Sequence, residues 1–239
     1  MRRFYASASQ FSGNSIELDA DETRHLRDVL RLTSGDNVSV FNGTGQEFEC
    51  SILEIGKRTA RLVLVGEIPA ASPESPLDIT IAPTVLNGDR YDLIVQKAVE
   101  LGVTTLVPLI TIRCEMKAAD AGRRLSRWRR IALEATKQSG RAKIMEIVEP
   151  QTLDRGLADA EKSTAILFSE RDGANLPQKL NGKTITAFYG PKGGWDDSEL
   201  DLARSLGVSI VTLRGRILRA ETASIAITAI LQHRFGDLN

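Results

Sequence analysis

The stretch TITAFYGPKGGWDDSELDLARSLGVSIVTL, residues 184–213, decides the fold class of this chain. Its first six residues are mostly apolar or β-branched and predict a buried strand, a helix follows from about Ser198, and 208–213 predict a second strand. Strand, helix and strand in this order are typical of a parallel sheet covered by helices. The turn GPKGG, residues 190–194, joins the first strand to the helix, and its simplest role is to supply torsion angles that glycine permits.

The same alternation continues on both sides of this stretch. Further strands are predicted at 77–82, 105–112, 144–148 and 164–168, and further helices at 89–101, in an arginine-rich segment ending near 138, and at 221–235. The prediction is an α/β fold with a mainly parallel sheet and helices on both faces. Ligands of such sheets bind beyond the carboxyl ends of the strands.

The first part of the chain has a different pattern, typical of antiparallel strands in a small barrel. Its predicted strands are 37–41, 47–55 and 59–68. The segment AASPESP, residues 70–76, contains two prolines and favours an extended connection. We therefore expect a β-barrel domain over 1–70, a linker over 71–76 and the α/β domain over 77–239.

One helix interrupts the strands of the first domain. Leu26, Val29 and Leu30 recur at helical spacing and predict its buried stripe. Either Asp19 or Asp21 can cap its amino end.

Composition restricts the classes of function. The 239 residues include 31 basic and 31 acidic side chains, so nucleic-acid binding would depend on local arginine clusters rather than on net charge. No apolar run approaches the roughly 20 residues of a membrane span, and the first residues lack the apolar core of a signal peptide, so we expect a cytoplasmic protein without membrane contact. Cys50 and Cys114 lack a second cysteine pair and nearby histidines, which predicts buried thiols and neither a disulfide nor a metal site.

Three stretches fall at carboxyl ends of predicted strands: FSE (168–170), GPKGG (190–194) and LRGRILRAET (213–222). The glycine turn is not a Walker A motif, and no GxGxxG follows the first strand of the sheet. Glycines still let backbone N–H and C=O groups approach a flat, neutral ring such as adenine. In the third stretch Arg216 and Arg219 flank two apolar residues, which suits an aliphatic pocket with an anion at its mouth. The alternative is that these arginines pack against the following helix.

Several motifs resemble one known family. GPKGG, LRGRILRAETA, NGDRYDLIVQKAVELGV, RRIALEATKQSGR and HLRDVLRLTSGD occur in the order and spacing of the RsmE family. These are SPOUT-class methyltransferases that modify N3 of a uridine in 16S ribosomal RNA. The resemblance covers nearly the whole chain.

The resemblance implies a SPOUT fold with a deep trefoil knot, preceded in the chain by a PUA-like RNA-binding barrel. It also implies a homodimer that acts on 16S ribosomal RNA, within the small ribosomal subunit, without a metal. The loops of the knot would bind S-adenosyl-L-methionine. The residues implied for this role are Phe168, Glu170, Gly190, Pro191, Gly193, Gly194, Leu213, Gly215, Ile217 and Leu218.

The resemblance and the expected chemistry together suggest catalytic and RNA-binding residues. Arg90 and Arg219 are candidates to stabilise negative charge on the uracil, although Arg90 could instead form a surface ion pair with Asp89 or Asp92. The residues expected to contact RNA are His25, Arg27, Arg31, Gln138 and Arg141, the last two with a plain helix end as the alternative. Lys97 and Glu100 are expected to pair with each other.

Four positions depart from the family pattern. Lys192 stands in place of a glutamate, Asn87 in place of a lysine and Met145 in place of a proline, and where the family usually has LGxRILR this chain has Arg214 followed by Gly215. Two alternatives follow. One is a SPOUT-like assembly factor that binds ribosomal RNA without catalysis, and the other is a methyltransferase that acts on a different RNA site.

Overall fold

The computed structural model describes residues 1–239, which divide into two compact units. The first comprises Met1–Glu74 and Thr136–Ile144, and the second comprises Ser75–Ala135 and Met145–Asn239. The segment Thr136–Ile144 belongs to the first unit although it comes much later in the chain, which no local pattern predicts.

The first unit contains one six-stranded sheet. Its strands are β1 (Arg2–Tyr5), β2 (Phe11–Ser12), β3 (Ser15–Leu18), β4 (Asn37–Phe41), β5 (Glu47–Ile55) and β6 (Ala60–Ile68). They lie in the order β1-β4-β5-β6-β3-β2, and every pair is antiparallel except β1 with β4. Inward-facing residues such as Phe4, Ile16 and Val38 form a separate apolar core. The predicted strands 37–41 and 47–55 are confirmed.

The helix of the first unit changes type along its length. It begins as α1 (Ala20–Arg24), with the Asp19 carboxylate accepting two backbone N–H bonds, which confirms Asp19 as the cap. It continues as a π-helical turn, His25–Val29, in which the Leu30 N–H donates to the carbonyl of His25, five residues back. The predicted buried stripe is wrong at Val29, which is 64% exposed, because the wider π turn moves it off the face of Leu26.

The second unit contains a parallel sheet. Its strands are β7 (Asp78–Pro83), β8 (Thr105–Leu106), β9 (Leu109–Ile110), β10 (Glu146–Ile147), β11 (Gln151–Thr152), β12 (Thr164–Phe168), β13 (Thr184–Tyr189) and β14 (Ser209–Val211). Six of them form one sheet in the order β10-β8-β7-β13-β12-β14, with every pair parallel, and β9 pairs with β11. The predicted strand 105–112 is wrong as one element, because Pro108, which has no N–H, separates β8 from β9.

Helices cover both faces of this sheet, as predicted. They are α2 (Asp89–Glu100), α3 (Ala118–Gly122), α4 (Leu125–Ser139), α5 (Leu153–Asp159), α6 (Asp197–Ser205) and α7 (Ala220–Phe235). Successive side chains of β13 point to opposite faces of the sheet and belong to two different apolar clusters. Ala187 and Tyr189 pack with α2, α4 and α7, whereas Phe188 packs with α5 and α6. Sequence analysis missed α5. None of the helices combines the length and the apolar character that a membrane crossing requires.

Candidate functional site

Three loops of the second unit meet at one edge of its sheet. β12 lies between β13 and β14, and all three strands run parallel, so their carboxyl ends are neighbours. The loops that follow these ends contain the three stretches singled out from the sequence. The first of them is also tied directly to β14, because the Ser169 N–H donates to the Val211 carbonyl at 3.0 Å.

The glycine loop, 190–194, is a tight turn built against a buried indole. The Gly194 N–H donates to the Pro191 carbonyl at 2.9 Å, and Gly194 has a φ of +70°, which favours glycine. A Cβ on Gly190 would lie 2.9 Å from Trp195 Nε1. That indole is 1% exposed and donates at 2.8 Å to the Phe168 carbonyl, so it connects the glycine loop to the end of β12.

Two arginines hold the outside of the glycine loop. Arg113 donates to the Gly193 carbonyl at 3.0 Å and to the Asp196 carboxylate at 3.1 Å. Arg171 donates to Asp197 at 2.7 Å and to the Trp195 carbonyl at 3.3 Å. Sequence analysis missed Arg113, Arg171 and the role of Trp195, because no local pattern indicates these contacts between distant segments.

The side chains at the ends of β12 and β13 pack together. The Phe168 and Tyr189 rings stack with centroids 5.7 Å apart, and the Tyr189 hydroxyl lies 3.0 Å from Thr228 Oγ1 of α7. Burial raises the pKa of Tyr189 well above its usual value, so this phenol stays neutral. The glycine loop therefore directly follows a buried, uncharged tyrosine side chain.

The loop after β14 presents an open backbone. None of the N–H groups from Leu213 to Leu218 donates a hydrogen bond within the chain. Gly215 has a φ of +123°, and the Ile217 and Leu218 side chains are 88% and 43% exposed. Main-chain donors and apolar side chains are thus available to a ligand. Arg219, at the amino end of α7, is exposed and has no ion-pair partner.

Arg90 lies at the same edge, in the first turn of α2 after β7. It donates to Glu115 at 3.1 Å and to the Asn87 carbonyl at 3.3 Å. The alternative pairing with Asp89 or Asp92 is wrong, because Arg127 contacts both of those carboxylates.

The two candidate catalytic arginines lie at the amino ends of two helices of the second unit that pack against each other. Arg90 is in the first turn of α2, Arg219 is the N-cap residue of α7, and Gln232 of α7 donates to the Leu101 carbonyl at the end of α2 at 2.8 Å. The predicted pair of Lys97 with Glu100 is confirmed at 2.8 Å.

The residues expected to contact RNA lie in the first unit and differ in exposure. His25 and Arg31 are exposed, whereas Arg27 is half-buried and bonded to Asp28 and to the Lys57 carbonyl. Gln138 is exposed at the end of α4.

Arg141 is 3% exposed and bonds Glu74 at 2.6 Å. Arg3, which sequence analysis missed, donates to the carbonyl of Arg141 and to that of Thr136. These contacts tie the segment Thr136–Ile144 to the sheet of the first unit.

Comparisons with known proteins agree with this architecture. Two family models match: the RNA methyltransferase domain over residues 73–232 and the RNA methyltransferase PUA domain over residues 18–65. The crystal structure of ribosomal RNA small subunit methyltransferase E from Neisseria gonorrhoeae, bound to S-adenosyl methionine, is 34% identical, covers 100% of both chains and has a TM-score of 0.89. This chain belongs to that methyltransferase E family.

Other members of the methyltransferase E family and similar structures give the same picture. The relative from Aquifex aeolicus is 33% identical over 98% of this chain and 100% of its own. A methyltransferase from Legionella pneumophila, solved with the bound cofactor SAM, is 30% identical over 98% of both chains with a TM-score of 0.87. The predicted family resemblance and the PUA-like first domain are confirmed.

Lys192 and Arg214, the two departures expected in the candidate loops, have exposed side chains, so neither fills the interior of its loop. No group of three or more His, Cys, Asp and Glu side chains is arranged to hold a metal ion.

Proposed function

We propose that this protein transfers a methyl group from S-adenosyl-L-methionine to N3 of a uridine in 16S ribosomal RNA. The observation that carries the proposal is the edge formed by three neighbouring loops, in a chain that aligns from end to end with a methyltransferase crystallised with S-adenosyl methionine. We further propose that the carboxyl-terminal part of the second unit is threaded as a deep trefoil knot. The protein would act as a cytoplasmic homodimer on the small ribosomal subunit.

The three loops suit a ligand that is bound through main-chain groups. The glycine loop and the open backbone of 213–218 offer N–H and C=O groups to the edge of an adenine. Ile217 and Leu218 supply apolar surface for its face. A side chain on Gly190 would displace the buried Trp195 ring, so this loop can keep its shape only with glycine there. The ten residues implied by the family resemblance are the proposed cofactor contacts.

Methyl transfer requires positioning and charge stabilisation more than a strong nucleophile. S-adenosyl-L-methionine supplies an activated methyl on a positive sulfonium, which leaves as a neutral sulfide. The uracil N3–H bond must break as the N3–CH3 bond forms, with the proton passing to solvent water, and the base must be unpaired beforehand. A guanidinium near the carbonyl oxygens stabilises the developing uracil anion, the role proposed for Arg90 and Arg219.

The test is methylation of unmodified small ribosomal subunits with labelled S-adenosyl-L-methionine, followed by mass mapping of the RNA. We expect one methyl group on N3 of a single uridine. The residue types at Lys192 and Arg214, which differ from those expected for the family, suggest one alternative, an assembly factor that binds the RNA without catalysis. RNA binding with no heat of binding for S-adenosyl-L-methionine would support that alternative, and a methyl group on another base or RNA would refute the proposed target.

A further inference from the structure

A polar cavity lies beside the turn between β7 and α2. Its volume is about 370 Å³, and its lining residues are Asn87, Glu115, Met116, Asp120, Arg123 and Arg124. This volume falls within the range of ligand pockets, about 300 to 1,000 Å³. Such pockets are usually apolar, but here only Met116 is an apolar side chain. The lining therefore favours a charged ligand over a hydrophobic one.

The charges around the cavity leave one cation in excess. The Glu115 carboxylate is paired with Arg90 at 3.1 Å, and the Asp120 carboxylate is paired with Arg123. Arg124 is half-buried, and its guanidinium has neither an ion pair nor a hydrogen bond within the chain. A half-buried guanidinium that has lost part of its hydration has a strong preference for an anion.

A second donor at the cavity is only weakly engaged. The Asn87 amide nitrogen lies 3.5 Å from the Glu115 carbonyl, at the limit of a hydrogen bond. Asn87 precedes Gly88, where a Cβ would meet no atom within 4 Å, so the turn is open to approach from outside. The Asn87 amide can therefore turn to a ligand at little cost.

We propose that this cavity binds a backbone phosphate of the RNA substrate, through the guanidinium of Arg124 and the amide of Asn87. The planar fork of arginine matches two phosphate oxygens. Asn87 follows β7, which is the immediate neighbour of β13, the strand that carries the glycine loop. A phosphate held here would position a nucleotide beside the proposed methyl-donor site. The inference rests on the proposed function, because it takes RNA as the substrate.

The test compares Arg124→Gln with Arg130→Gln. Arg130 lies in α4, is exposed, has no ion-pair partner and does not line the cavity, so its loss is a matched change of charge. The probe is a fluorescent single-stranded RNA containing the target uridine, titrated at several salt concentrations. Arg124→Gln should weaken RNA binding at least about tenfold, since a charge-assisted hydrogen bond is lost. The slope of log K against log salt should fall by about 0.7, the value for one phosphate contact in a single strand.

Three further measurements make the result decisive. Arg124→Lys should recover part of the RNA affinity, because it restores the charge but not the fork. Calorimetry with S-adenosyl-L-methionine should give the wild-type affinity for Arg124→Gln; a loss there would assign Arg124 to the donor's carboxylate and overturn the proposal. Thermal unfolding should show that the variants are folded.

The outcomes separate this inference from the proposed function. Equal RNA affinities and salt slopes for Arg124→Gln and Arg130→Gln, in an enzyme that methylates its RNA, would refute the phosphate site alone. If RNA binding depends on Arg124 as predicted but the wild-type protein transfers no methyl group, the activity is refuted and the phosphate site is supported. A wild-type protein that binds no RNA would overturn both.

Discussion

Replacing Gly190 by alanine tests how the glycine loop is held. The new Cβ would lie 2.9 Å from Trp195 Nε1, and ordinary contact begins near 3.4 Å, so the ring must move by at least 0.5 Å. The ring is 1% exposed and cannot move outward freely. Its hydrogen bond to the Phe168 carbonyl, now 2.8 Å, must lengthen or break. Overpacking of this kind costs about 1 to 3 kcal/mol.

Urea unfolding followed by tryptophan fluorescence measures this cost, because both tryptophans, Trp128 and Trp195, lie in the second unit. We expect Gly190→Ala to lower the free energy of unfolding by about 1 to 3 kcal/mol and the melting temperature by about 2 to 4 °C per kcal/mol. The affinity for S-adenosyl-L-methionine should fall as well, because the loop shifts with the ring.

Gly193→Ala is the matched control within the same loop. Its Cβ would lie 3.6 Å from the nearest atom, an ordinary contact with Arg113, so stability should change by less than about 0.5 kcal/mol. Adding Trp195→Phe to Gly190→Ala should cost less than the sum of the single changes, because the smaller ring relieves the contact. Equal stability of Gly190→Ala and Gly193→Ala, or strict additivity in the double variant, would refute the proposed packing.

Three further predictions follow from contacts and burial. Arg113→Gln removes the hydrogen bond to the Gly193 carbonyl and should weaken S-adenosyl-L-methionine binding about threefold to tenfold in calorimetry; unchanged affinity would contradict its positioning role. Arg141→Ala leaves Glu74 without its ion pair and should lower the free energy of unfolding by about 2 kcal/mol, whereas lost RNA affinity at wild-type stability would assign Arg141 to RNA contact instead. Burial raises the pKa of the Cys50 thiol to about 12, above its unfolded value, so its contribution to stability is complete below about pH 9 and lost as the pH rises toward 12. Between pH 9 and 12, the unfolding free energy measured by urea titration should therefore fall less for Cys50→Ala than for the wild type. The same pH dependence of the unfolding free energy in both proteins would contradict the prediction.

The parallel sheet was predictable because its strands carry continuous apolar, β-branched residues. Thr164–Phe168 and Thr184–Tyr189 have the bounds expected from their sequence, since both are buried inside the sheet. The proximity of the three loops was predictable because the carboxyl ends of parallel strands lie at the same edge of a sheet. The prediction of one strand over 105–112 is wrong because Pro108 has no backbone N–H to donate within a sheet.

The contacts that shape the site were not predictable from local pattern. Trp195 bonds the Phe168 carbonyl and Arg113 bonds the Gly193 carbonyl, and each joins segments that are distant in sequence. The π turn at His25–Val29 also escaped prediction, since apolar spacing at three and four residues assumes an α-helix throughout. Family resemblance supplied the methyl donor and the uridine, which residue chemistry alone did not identify.

Hydrogen–deuterium exchange with and without S-adenosyl-L-methionine tests the central claim, that main-chain groups of the three loops hold the methyl donor. The N–H groups of 213–218 make no hydrogen bond within the chain, so they should exchange fast in the free protein. The donor should slow exchange in 190–194 and in 213–218, with no comparable change at residues 37–68 of the first unit. Binding of the donor without slower exchange in either loop, or with protection confined to other segments, would contradict the claim.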